Sequence, residues 1–134
     1  PQGARMKLDR REVVKELLAQ RRDLLVVAGL GACAWDITAA GDTPLNFPLW
    51  GAMGGAAMVG LGLALAQPKR PVLVITGDGE MIMGMSSLAT IAAQQPKNLS
   101  VVVLDNEQYA ETGHQATHTA MGADLPAIAR GCGI

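Results

Sequence analysis

Two glycines flank a carboxylate at Gly77-Asp78-Gly79, where the apolar run 71–76 ends. Glycine lets a backbone come close to a ligand. Asp78 offers a hard carboxylate oxygen. The residues that follow have helical character, and free N–H groups at a helix start favour an anion. Such a turn offers a carboxylate to a cation and N–H groups to a phosphate, which suits a metal diphosphate. Magnesium takes oxygen ligands near octahedral geometry, often shared with phosphates. Asn106 stands just beyond a second apolar run, 99–104. If the two runs are neighbouring strands, Asp78 and Asn106 meet at one sheet edge. A nearby backbone carbonyl would then complete the protein's share of the ligands. Taken alone, Gly-Asp-Gly is also an ordinary tight turn.

Further candidates lie in the polar stretch 105–122. His114 and Glu111 are candidate catalytic groups, and His118 stands close by. A histidine there could relay a proton or meet an anionic substrate; surface histidines on loops are also common. Glu80 is expected to offer its backbone N–H to a phosphate rather than its carboxylate. Trp35 and Trp50 read as packing residues. Cys33 and Cys132 are far apart and lack CxxC spacing, so neither a disulfide framework nor a zinc site is expected.

The elements that must position these groups follow from periodicity. Asp9 and Glu12 form a capping-box-like start for a helix over 10–20. Residues 24–28 form a short strand, 33–40 a short helix and 45–49 a brief strand. Residues 52–66 predict a Gly-rich helix buried on all sides. A strand over 71–76, a helix over 81–94 and a strand over 99–104 follow. The stretch 105–122 reads as a loop, and Asp124 caps a last helix. Strands apolar on both faces that alternate with helices predict an α/β fold, a three-layer parallel sheet with helices on both faces. Ligands of such folds bind beyond the carboxyl ends of the strands. The loops after Val27, Ile75 and Leu104 are therefore where chemistry is expected.

Bulk properties exclude several classes. The formal net charge of −1 leaves no electrostatic footprint for nucleic acid. Residues 47–67 carry no charge and are long enough to span a bilayer. They are mostly Gly and Ala, which give little transfer energy, so no membrane span is expected. The N-terminal end is polar and basic, unlike a secretory leader. Residues 1–8 are expected to be a frayed or foreign end. Two unpaired cysteines suit a reducing compartment, and a cytoplasmic place is expected.

Gly77-Asp78-Gly79 followed by Asp105-Asn106 resembles the GDG…N signature of thiamin diphosphate enzymes. Gly51-Ala52-Met53-Gly54 resembles their GSMG-type segment. The resemblance runs over about residues 25–134. It implies the diphosphate-binding domain of such an enzyme, with thiamin diphosphate and Mg2+ as cofactors. Asp78, Asn106 and the Gln108 carbonyl would hold the metal. Gly77 shapes the turn, and Gly79, Glu80 and Met81 would meet the diphosphate through backbone groups. The Gly51 carbonyl would meet the 4′-amino group, and Met53 would bend the cofactor. The family often has a second asparagine where this chain has Asp105, which adds a negative charge near the site.

The activating glutamate of the family sits in a pyrimidine-binding domain, for which one short domain has no room. A partner, an alpha chain carrying that glutamate, is implied. A hetero-oligomer with at least two copies of each chain would follow. The segments 87–92, 104–109 and 112–115 are similar to sulfopyruvate decarboxylase beta subunits and to the C-terminal part of phosphonopyruvate decarboxylase. Those beta subunits extend further, so a truncated C-terminal end is expected. The implied activity is decarboxylation of a small 2-oxo acid with a second anionic group, a lyase reaction. Carboligation or an oxidative 2-oxo acid step uses the same half-site and stays open. So does a non-catalytic subunit that only binds its partner.

Overall fold

The structure, a computed structural model, describes residues 7–134, so most of the expected frayed end lies outside the described residues. Helix α1 (Arg10–Leu18) begins at Asp9, whose side chain accepts the N–H groups of Arg11 and Glu12. It ends two residues earlier than its periodicity predicts. Strand β1 (Leu25–Ala28) leads to α2 (Ala32–Ala39), β2 (Asn46–Pro48) and α3 (Ala56–Ala66). Strand β3 (Val72–Gly77) runs directly into α4 (Asp78–Met83), then α5 (Ser86–Gln94) and β4 (Leu99–Leu104).

The sheet has the order β2-β1-β3-β4, and every pairing in it is parallel. Successive strand residues face opposite sides. Val26, Ala28, Leu73 and Ile75 therefore pack with Val14, Leu18, Cys33 and Ile37 of α1 and α2. Val27 and Val74 pack on the other face with Ala56 of α3. Leu99, Val101 and Val103 of β4 join a cluster with α3, α5 and the last helix, α6 (Leu125–Cys132). The expected three-layer α/β architecture is what forms.

The helices predicted over 52–66 and 81–94 differ from expectation. The helix predicted over 52–66 starts only at Ala56. Ala52 (φ 54°) and Gly54 (φ 91°) have left-handed backbones, which a right-handed helix excludes. Nor is this helix buried all round, since Met58, Val59 and Leu65 are exposed. The helix predicted over 81–94 is two helices with a break at Gly84-Met85. Gly84 lies so close to the 51–55 loop that a Cβ there would come 2.1 Å from the Gly54 carbonyl oxygen.

The stretch 105–122 is more ordered than a loop. Strands β5 (Gln108–Tyr109) and β6 (Gln115–Ala116) pair antiparallel, with 3-10 turns at Ala110–Thr112 and His118–Met121. Asp124 caps α6 through the Ala127 N–H, as expected. Trp35 and Trp50 do pack edge to face, with centroids 4.9 Å apart. They are no core pair, however, being 63% and 54% exposed. Among the described residues no helix is long and apolar enough to cross a membrane.

Candidate functional site

Parallel pairing without a shift brings the carboxyl ends of β1, β3 and β4 to one edge. Ala28 lies opposite Ile75, and Gly77 opposite Leu104. The loops that leave these ends enclose a cavity of about 360 Å³. Its walls come from residues 30–33, Met53, residues 77–80, residues 103–106 and residues 108–112, with Leu8, Arg10 and Val13 closing the α1 side.

Asp78 lines the cavity and is 1% exposed. Its Oδ1 accepts the backbone N–H of Asn106 at 3.4 Å. Its Oδ2 accepts the hydroxyls of Thr117 and, at 3.0 Å, Thr119. Thr119 also reaches Asp105 Oδ1 at 2.9 Å. The Asn106 side chain is oriented by its own turn, with Oδ1 accepting the Gln108 N–H at 3.1 Å. Asp78, Asn106 and Gln108 thus line one cavity. Among the described residues no group of three or more His, Cys, Asp or Glu could hold a metal. A cation here would rest on amide and carboxylate oxygens together with oxygens of its ligand, the pattern magnesium favours.

Glu80 does more than its backbone suggests. The residue is 5% exposed, and its carboxylate is turned inward. Oε2 accepts the Thr76 hydroxyl at 2.7 Å and the Leu30 N–H at 3.1 Å. Oε1 accepts the Ala56 N–H at 3.4 Å, which caps α3 where Gly55 has no side chain to do so. One carboxylate therefore ties β3, the loop after β1 and the start of α3.

The remaining candidates are placed as follows. Met53 lines the cavity; Gly51 is exposed and does not. Gly79 lines it as well, but its bare Cα faces a ring, because a Cβ would come 2.4 Å from Tyr109 Cε1. The Met81 side chain packs in the core beside Ala57 and Leu61. Glu111 lines the cavity and lies over Gly31. His114 is exposed and outside the lining, with Nδ1 3.0 Å from Gln108 Oε1. His118 is also exposed.

On the α1 side, Arg10 binds the buried carboxylate of Asp36 through Nε and Nη2. That hydrogen bond raises the guanidinium pKa above its usual value. Cys33, which lines the cavity with Arg10, has its thiol pushed up to about 12, by burial first and then by the Asp36 charge.

Thr117, Thr119, Thr76 and the Glu80 carboxylate escape a reading of the sequence alone. The spacing of the two threonines around His118 puts two hydroxyls on one carboxylate, yet only the fold reveals which one. Glu80 has partners at Leu30 and Ala56, 50 and 24 residues away, which no local pattern marks.

Residues 29–134 match the family described as thiamine pyrophosphate enzyme, C-terminal TPP binding domain. The chain is 41% identical over 129 residues to sulfopyruvate decarboxylase subunit beta of Methanothermobacter thermautotrophicus, covering 96% of this chain and 69% of that one. It is 45% identical over 121 residues to phosphonopyruvate decarboxylase of Streptomyces viridochromogenes, covering 90% of this chain and 30% of that one. Benzoylformate decarboxylase from Polynucleobacter necessarius superposes with a TM-score of 0.80 at 21% identity, over 96% of this chain and 28% of that one. That last likeness is one of fold. The chain thus spans only part of the length of each.

Proposed function

Because the chain belongs to the family of thiamine pyrophosphate enzyme C-terminal, TPP-binding domains, we propose that it supplies the magnesium–diphosphate half of the active site of a 2-oxo acid decarboxylase. The observation that carries this is the meeting of Asp78 and Asn106 at one cavity, 28 residues apart in the chain. Asp78 Oδ1, Asn106 Oδ1 and the Gln108 carbonyl would hold Mg2+. Backbone groups of Gly79, Glu80 and Met81 meet the diphosphate, with Gly77 leaving the turn open. Met53 would bear on the cofactor from the cavity wall, and the Gly51 carbonyl, outside the lining in this structure, would meet its pyrimidine ring. When bound, thiamin diphosphate supplies the electron sink for cleaving the bond beside a keto carbon. The chain's own part is to orient that group and balance its charge.

The substrate is a small 2-oxo acid bearing a second anionic group, sulfopyruvate- or phosphonopyruvate-like. The relatives named for those substrates support this. A partner subunit supplies the glutamate that activates the pyrimidine ring. The word "subunit" in the relative's name supports a second chain. Glu111 stands at the cavity wall as a candidate for substrate contact; His114 acts there only if its loop moves. A cytoplasmic place belongs to the same reading, supported by free Cys33 and Cys132.

The test is calorimetric titration of thiamin diphosphate with Mg2+ into the assembled complex, beside its Asp78→Ala variant. Magnesium-dependent binding that the variant loses supports the assignment. Equal binding by the variant overturns it. Product analysis on 2-oxo acids then separates decarboxylation from carboligation.

A further inference from the structure

We infer that Thr117 and Thr119 are positioning residues of the cation site, fixing which oxygen of Asp78 faces the metal. This rests on the reading of Asp78 as a magnesium ligand. A carboxylate has two oxygens and about four lone-pair directions. Both hydroxyls converge on Oδ2, and Oδ1 receives only the Asn106 N–H at 3.4 Å. Oδ2 is thereby occupied, while Oδ1 keeps a lone pair for a ligand.

The two threonines are not equivalent. Their oxygens lie 2.9 Å apart, and Thr119 also reaches Asp105 Oδ1. Four contacts share two hydroxyl protons. Thr117 is fully buried and has two oxygens in reach, Asp78 Oδ2 and Thr119 Oγ1. Thr119 is half-buried and can turn its proton to either carboxylate. Thr117 therefore holds Asp78 in place, and Thr119 adjusts between Asp78 and Asp105.

The hairpin fixes this arrangement. The Thr117 N–H donates to the Glu107 carbonyl at 3.0 Å, which joins the loop carrying Asn106 to the one carrying the hydroxyls. Asp78, Asn106 and Thr117 are thus set by one another rather than by their own elements alone.

The test measures Mg2+ affinity by calorimetry in the assembled enzyme with thiamin diphosphate present, for wild type, Thr117→Val, Thr117→Ser and Thr119→Val. Changes in groups that orient a metal ligand typically weaken affinity about 10–100-fold, and Thr117→Val should fall in that range. Thr117→Ser should restore most of it, since it returns the hydroxyl without the methyl. Thr119→Val, at a half-buried position that tolerates the change, should weaken binding less. Wild-type affinity in both valine variants overturns the inference alone. So does a Thr117→Ser protein as weak as Thr117→Val, which would assign the effect to packing. If Thr117→Val does not fold, unchanged affinity in Thr119→Val still overturns the inference. Wild type that binds no Mg2+ at all removes the metal site itself, and the inference with it.

Discussion

The carboxylate of Glu80 lies directly over the Cα of Gly29: a Cβ built on residue 29 would come 1.7 Å from Oε2. The tip of a glutamate usually swings aside at little cost. This one is held by Thr76, Leu30 and Ala56, so moving it leaves three donors without an acceptor, two of them buried. Gly29→Ala should therefore lower stability by about 1–3 kcal/mol, the range for unpaired buried groups. Urea denaturation would read it. In a Glu80→Ala background the same change should cost much less, a coupling that a double-mutant cycle isolates.

Met53 lines the cavity from a loop and belongs to none of the core clusters. Met53→Ala should thus leave the urea midpoint nearly unchanged. It should weaken binding of thiamin diphosphate by about 10–100-fold, the equivalent of about 1.5–3 kcal/mol of lost apolar contact. Met53→Leu should keep most of the affinity. Calorimetry on the assembled enzyme checks both.

Cys33 makes a prediction about alkaline pH. Its folded thiol keeps its proton up to about 12, against an ordinary value of 9.0. Between those values the unfolded chain sheds a proton that the folded chain retains. Stability is therefore full below pH 9 and falls as pH rises through that window. Cys33→Ala should flatten that part of the stability curve. For the same reason, iodoacetamide at pH 8 should label half-buried Cys132 well before Cys33.

Trp35, Phe47, Trp50 and Met58 are all exposed. Trp35 and Trp50 touch, and contiguous exposed apolar surface of that kind marks contact regions. Without a partner the chain is expected to self-associate, and replacing Trp50 and Met58 by Ser should reduce this. Sedimentation velocity over a range of concentrations decides it; unchanged association in the double variant would place the contact elsewhere.

The layer order and the site edge were legible in the chain because they follow from continuous apolar runs. Strand 99–104 coincides with β4, and Asp78 and Asn106 fall at one edge because their strands pair. What escaped has a common cause, which is contact over long separation. The left-handed Ala52 and Gly54 look helical in composition, but the loop they form packs on Gly84. The same contact breaks the helix predicted over 81–94. The hairpin after β4 looked like a loop because its two strands have two residues each, too short for any alternation to show. Trp35 and Trp50 read as packing residues by type, and they do pack on each other, but nothing local reveals that their pair faces outward.

Asp78 is met by Asn106, Thr117 and Thr119, which follow it by 28, 39 and 41 residues. Closing loops of that length costs entropy before any of these contacts can form. The setting of Asp78 is complete only once β3, β4 and the hairpin have come together. A ligand that needs this setting has nothing to recognise in a half-formed chain. It stabilises only the finished fold, so its presence should slow unfolding and leave the rate of folding almost untouched.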